Sequence, residues 1–338
     1  MKKRILLVAV LQVFLVLNSC SSEDESTTPT EEIKGEITAD YISQVSFTDD
    51  IVVNDDNMVY QIGQVDFGIE LKKIDLEGKV TSVKKLNYPN FGESSLSTSK
   101  DGILLVAKFH ESDTDKIFRF ENNFSDLNAL YTMKPISSPF ANKIKLTAIC
   151  NNNDNTYFVY DYNNKQMKRF VPELNTDVLV AGSEKNEIKD GIGLNASFGF
   201  VSKIISQNNV LYIIDNLYTG ASSSFASSNI RKLEYVNNEW KVTTLISSTT
   251  DTYVNIAFDS QNDLYVLLEY KGISKLNLQN NTLSTFKDGE LLVGKGTIHQ
   301  PTSYKSITKM NIKGNDMYIL LANSTLVKIS DFQSKLSK

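Results

Sequence analysis

Residues 201–247 read VSKIISQNNVLYIIDNLYTGASSSFASSNIRKLEYVNNEWKVTTLIS. Four short runs rich in β-branched and aromatic residues lie here, at 201–206, 210–215, 229–235 and 241–247. Asn208-Asn209 separates the first two runs and Asn237-Asn238 the last two. Asparagine tolerates the left-handed backbone that tight hairpin turns need, so the stretch predicts four antiparallel strands in a meander. The following stretch, 255–286, repeats the arrangement as NIAFDSQNDLYVLLEYKGISKLNLQNNTLSTF.

Two landmarks carry the repeat along the chain. A tyrosine near the start of an apolar strand recurs as Tyr60, Tyr157, Tyr212, Tyr265 and Tyr318, with Leu105 in its place in the remaining unit. Several residues later comes an apolar–any–basic–apolar quartet, at 71–74, 117–120, 167–170, 230–233, 273–276 and 326–329. Repeats of four short strands at this period imply an all-β chain, a six-bladed β-propeller of four-stranded blades. The sixth unit reaches Lys338 just after its third strand, while EITADYISQ at 36–44 precedes the first unit without a unit of its own. The N-terminal strand is therefore expected to close the last blade, which would leave no permanent edge.

The N-terminus carries an address. Lys2, Lys3 and Arg4 precede the apolar run 5–17. At about 13 residues the run is short of the roughly 20 needed for a span, and a basic start with a short apolar core is the layout of a secretory signal. Leu17-Asn18-Ser19-Cys20 then resembles a bacterial lipobox. That resemblance implies cleavage of residues 1–19 and attachment of diacylglycerol and palmitate-type chains to Cys20. Two or more acyl chains anchor a protein durably. Residues 20–35 are polar and acidic, too poor in apolar surface to fold, and read as a flexible tether, leaving 36–338 as the propeller. Ser21 is not an aspartate of inner-membrane retention, and Glu23-Asp24-Glu25 resembles the export signal of surface lipoproteins. The expected location is the outer membrane, lipid-anchored, at the cell surface.

Composition narrows the partners. The formal net charge is −5, and loss of Lys2, Lys3 and Arg4 leaves 32 basic against 40 acidic residues. No basic run exists to bind nucleic acid by counterion release. Cys20 and Cys150 are the two cysteines. With Cys20 lipidated, Cys150 has no partner and reads as a small buried apolar side chain.

The fourth unit is similar to an NHL repeat through Gly182, Asp190, Gly191, Gly193, Ala196, Phe198, Leu211, Tyr212, Asp215, Ile230, Arg231 and Lys232. Elsewhere the pattern weakens. At the place of Asp215 the other units show Gly63, Lys108, Tyr160, Leu268 and Leu321, and the proline that usually follows Phe198 is missing. The resemblance implies a propeller; it does not fix an activity, since such propellers include binders and enzymes.

Residue chemistry argues against an enzyme. His110 and His299 are the two histidines, too few for a histidine-rich metal site. Asp161, Asp215 and Glu269 end second strands and are the carboxylates that a gluconolactonase-like metal site would draw upon, although capping a turn is their more ordinary use. No calcium loop, nucleophile elbow or phosphate loop appears. No metal, cofactor or catalytic residue is therefore assigned. Loop length points to binding instead. One face carries short turns such as SQNN and DSQND; the other carries the long segments 87–94, 134–143, 182–200, 216–228 and 289–303. Long loops on a rigid scaffold are where binding concentrates. Their candidate ligand-binding residues are Tyr88, Phe91, Phe140, Tyr218, Phe225 and His299, with His110 on a further loop. The leading expectation is a lipoprotein that binds a glycan or another nutrient or cofactor on this face. A scaffold docking another envelope protein and a calcium-dependent lactonase-like hydrolase are the alternatives.

Overall fold

The computed structural model describes residues 31–33, 37–46, 48–66, 68–87, 94–98, 104–107, 116–120, 127–132, 146–152, 154, 156–220, 224–286, 290–295 and 298–336. Residues 1–19, Cys20, Tyr88, Phe91, His110 and Phe140 lie outside them. No helix among the described residues is long and apolar enough to cross a membrane.

The described strands form six sheets, each a chain-order meander at its core. Their innermost strands are Asp50–Val53, Ser95–Thr98, Leu146–Asn151, Phe200–Gln207, Tyr253–Phe258 and Ile307–Lys313. These six are neighbours in cyclic order, and the last lies against the first. The chain is a β-propeller. Its apolar side chains fill the gaps between successive sheets. Ile62, Ile69 and Leu71 of the first sheet pack with Leu96 of the second. Phe158 and Tyr160 of the third meet Ile204 and Leu211 of the fourth. Between last and first, Ile42, Tyr318 and Leu320 cover Ile51, Val53 and Val59.

The fourth sheet shows why this sequence makes hairpins. Asn208 and Asn209 have φ of 52° and 62°, and Asn237 and Asn238 have 52° and 64°. Two successive positive φ values make a type I′ turn, whose twist matches the flanking strands. The two sequence landmarks prove to be one cross-strand pair. Tyr60 faces Lys73, Leu105 faces Arg119, Tyr212 faces Lys232, Tyr265 faces Lys275 and Tyr318 faces Lys328. In the third sheet Arg169 faces Phe158, one residue past Tyr157. Two of these lysines reach an acid at the adjoining turn, Lys275 to Asp263 at 2.6 Å and Lys328 to Asp316 at 2.6 Å.

Several expectations change. The sheets are not uniformly four-stranded: three have four strands, two have five and one has six. In the last sheet Ile37–Gln44 pairs antiparallel with Thr325–Ile329, yet it is not the outer edge, because Glu290–Lys295 pairs with it in parallel and Ile298–Ser303 follows outside. The segment 289–303 is thus largely a hairpin, and the backbone of His299 sits in its outer strand. Glu31–Ile33, expected within the tether, instead adds in parallel to the outer strand Thr282–Phe286. Both changes have one cause. An outer strand exposes unpaired N–H and C=O groups, which a polar segment can pair as well as an apolar one. The same opportunity is used at 182–200, where Gly191–Ile192 pairs with Glu239–Ser248 and Ala196 and Phe198 enter the core. Of the segment 216–228, residues 216–219 and 224–228 continue the strands Val210–Thr219 and Ser224–Val236.

The motif of the fourth unit builds a buried lock. Arg231 is fully buried. Its Nη1 donates to Asp215 Oδ2 at 2.7 Å and to the Ser197 carbonyl at 2.6 Å, and its Nη2 donates to the Lys189 carbonyl at 2.7 Å and Asp190 Oδ1 at 3.2 Å. Asp215 Oδ1 accepts the Gly199 N–H at 2.9 Å. A Cβ at Gly199 would stand 2.4 Å from the Asn216 carbonyl oxygen, so this approach requires glycine. The third sheet repeats the lock in reduced form, with Lys168 Nζ 2.9 Å from Asp161. Strand register therefore makes Asp161, not Tyr160, the equivalent of Asp215: each faces the residue two before its cation. Removing one partner of such a pair strands a buried charge and costs about 3–5 kcal/mol, whereas removing both costs less. Arg231→Met is expected to lower the urea unfolding midpoint by that equivalent, and adding Asp215→Leu to return part of it.

Candidate functional site

Because each inner strand enters the ring from the same side, its first residues gather at one mouth of the central channel. Residues of all six sheets line it: Asp50, Ser94, Thr147, Lys203, Asn255 and Lys309, in sheet order. The mouth cavity is small, about 60 Å³. Lys203 crosses it. Its Nζ lies 3.2 and 3.1 Å from the two carboxylate oxygens of Asp50 in the first sheet, three sheets away around the ring. Asp50 also accepts the N–H groups of Ile51 and Leu96 at 3.0 Å each, and Asp49 accepts that of Ser94 at 3.1 Å. On the far side of Lys203 the channel widens to about 310 Å³, lined by the ends of the inner strands, among them Cys150. The larger cavity therefore opens toward the short turns, not toward the long segments.

Beside the mouth runs a row of rings. Phe200, which lines the cavity, stands edge-on to Tyr162 at 5.4 Å and to Tyr218 at 6.2 Å between centroids. Tyr218 in turn meets Phe225 at 6.2 Å. Tyr218 and Phe225 face each other across the extended hairpin of the fourth sheet, which is why two residues seven apart come together. All four rings keep part of their surface in solvent. Lys165 adopts φ 53° in the turn after Asp161 and holds its Nζ 3.5 Å over the Tyr162 ring. Burial pulls the Lys165 pKa down to about 8, against the upward pull of Asp215 and Asp161.

The structure thus joins Tyr218 and Phe225 and adds Phe200, Tyr162 and Lys165, which sequence reading passed over. Of the three carboxylates weighed for a metal, Asp215 is engaged with Arg231 and Asp161 with Lys168 and with Asn164 Nδ2 at 2.7 Å, while Glu269 is exposed. Among the described residues, no three His, Cys, Asp or Glu side chains cluster in a way that would hold an ion. Cys150 is buried, and desolvation raises its thiol to about 12, against smaller downward pulls from the Phe158 backbone and Lys203.

No protein-family model and no curated relative matches the chain. Solved structures match it at low identity. One is a structural-genomics protein of unknown function from Bacteroides thetaiotaomicron, at 15% identity and TM-score 0.59 over 89% of this chain and 74% of that one. Another is an auxiliary nutrient binding protein from the same organism, at 12% and 0.58 over 85% and 69%. A third is a gluconolactonase from Xanthomonas campestris, at 10% and 0.54 over 85% and 86%. The likeness is one of fold, that of the β-propeller.

A thiol held at about 12 and away from solvent is inert at neutral pH. In a Cys20→Ser variant, iodoacetamide at pH 8 is expected to leave Cys150 unmodified in the native protein. In 8 M urea it should modify one thiol per chain, as counted by intact mass.

Proposed function

We propose that the chain is a lipid-anchored outer-membrane protein that captures a ligand on the face bearing the long segments, a glycan being the first candidate. The observation that carries this reading is the row Tyr162–Phe200–Tyr218–Phe225 ending at a polar mouth. Partly exposed aromatic faces beside convergent hydrogen-bonding groups suit a ligand with an apolar face and hydroxyl edges. The fold likeness to a nutrient binding protein accords with it. The six sheets and the cyclic order of their inner strands support a six-bladed count, with Ile37–Gln44 tying the N-terminus into the last blade. The lipobox-like 17–20 and the acidic stretch after it support residues 1–19 as a signal and Cys20 as the anchored residue, facing the cell surface.

A docking scaffold is the second reading. Leu174, Val178, Ile192 and Leu194 are 69%, 55%, 44% and 58% exposed on the rim of the third and fourth sheets, and they favour a protein contact there. The hydrolase reading has less support, because Lys203 already supplies a cation to Asp50.

Two measurements test the proposal. A ligand that binds only the folded state raises its melting temperature with concentration. Screening glycans, corrinoids, siderophores and divalent metals against residues 31–338 is expected to give such a shift with a glycan. Tyr218→Ala with Phe225→Ala should weaken it at least tenfold; an unchanged shift would move the site elsewhere. Separately, Cys20→Ser should abolish labelling by a palmitate analogue and release the protein from the membrane fraction.

A further inference from the structure

We propose that the mouth pocket takes the uncharged, hydroxylated end of a sugar chain end-on, with the Lys203–Asp50 ion pair as its floor. The inference rests on the ligand-binding reading above and narrows it to a ligand class and a geometry.

Three lining residues carry buried side-chain atoms with no hydrogen-bond partner among the described residues: Ser94 Oγ, Ser202 Oγ and Asn255 Oδ1. Ser94 is 4% exposed and Asn255 2%, and they come from the second and fifth sheets, on opposite sides of the channel. Buried polar atoms are nearly always paired, and an orphan is costly. Three such atoms around one cavity point to a bound group that completes them.

Their chemistry selects the group. Asn255 Oδ1 can only accept, so the guest must donate; a carboxylate cannot. The two serine hydroxyls donate and accept, so the guest profits from doing both. A hydroxyl does both. Charge agrees. Lys203 and Asp50 neutralise each other at the floor, and the remaining lining charges, Asp49 and Lys309, have opposite signs. The formal total is zero, which gives no preference to an anion, and a divalent cation would meet the Lys203 ammonium.

Size sets the geometry. A cavity of about 60 Å³ falls far below the roughly 300 Å³ at which pockets begin to enclose a small molecule. It admits a hydroxymethyl group or an adjacent pair of hydroxyls, not a whole ring. The floor also prevents threading into the wider channel beyond. The rest of the ligand must lie outside, and Phe200 at the rim leads directly onto the aromatic row.

The experiment is a ligand-observed NMR titration of the full chain in a sugar-free detergent. Glucose, galactose and mannose are compared with glucuronate and galacturonate. The expected result is binding of at least one neutral hexose, at least fivefold tighter than its uronate, and weakened tenfold or more by Asn255→Leu and by Ser202→Ala. Ser202→Ala removes one oxygen and keeps the decision open should Asn255→Leu not fold. A uronate that binds as tightly as its neutral parent overturns the proposal, as does hexose binding unchanged in Ser202→Ala. If no monosaccharide binds but a polysaccharide does, with loss on Tyr218→Ala and Phe225→Ala, the end-on pocket falls and the ligand-binding face stands. If neither binds, both fall.

Discussion

A sheet of four short strands with apolar side chains on both faces has to be covered on both faces. In this chain that constraint organises everything else. Tyr160 and Met167 point into the gap between the third and fourth sheets, and Tyr253 and Leu264 help fill the gap between the fourth and fifth. No sheet can satisfy both faces with one neighbour. Stacking must continue until the last sheet meets the first, where Tyr318 and Leu326 close on Ile51 and Ile74. Burial drives the closure, while hydrogen bonds between side chains on the turn face set its alignment. Ser206 Oγ donates to Asn152, Ser260 Oγ to Asn315, and Lys313 pairs with Asp55 across the junction of last and first sheets. These surface contacts contribute little individually. Their effect is to keep neighbouring sheets from sliding.

The ring then creates the channel, and the channel creates the site. Six inner strands entering from one side bring their first residues within reach of one another, although Asp50 and Lys203 are 153 residues apart. The lock built around Arg231 serves this arrangement indirectly. By binding the carbonyls of Lys189 and Ser197 it folds the segment 182–200 onto the outer edge of the fourth sheet. That packing fixes Gly199 against Asp215 and so delivers Phe200 to the rim. Asp190 takes part as well. Burial disfavours its carboxylate, but the Thr244 N–H and hydroxyl and the Arg231 guanidinium outweigh that and hold its pKa below the ordinary range.

Residues that resemble a motif therefore need not be residues that act. Asp190, Asp215 and Arg231 are the most recognisable polar residues of the fourth unit, and their work is internal. The aromatic row and the three orphan atoms at the mouth belong to no motif. Tyr218 and Phe225 were legible because a long segment containing aromatics stands out among short turns. Ser94, Ser202 and Asn255 were not, because a serine or asparagine at the start of a strand looks like any turn residue until the strands are placed side by side.

The sequence by itself determined the strands, the hairpin turns and the repeat. These depend on local properties: the left-handed tolerance of Asn208-Asn209 and Asn237-Asn238, two-residue alternation, and the recurrence of the tyrosine and the apolar–any–basic–apolar quartet. It also made the buried, solitary character of Cys150 readable. Only the tertiary structure decided which edges would be extended, because backbone edges accept Glu31–Ile33 or Glu290–Lys295 with little regard to side chain. It alone placed Lys203 on Asp50, Phe200 beside Tyr218, and three unpaired polar atoms around one small cavity. The ion pair and the three unpaired atoms join residues of different sheets, and no short-range pattern records a distance that exists only once the ring has closed.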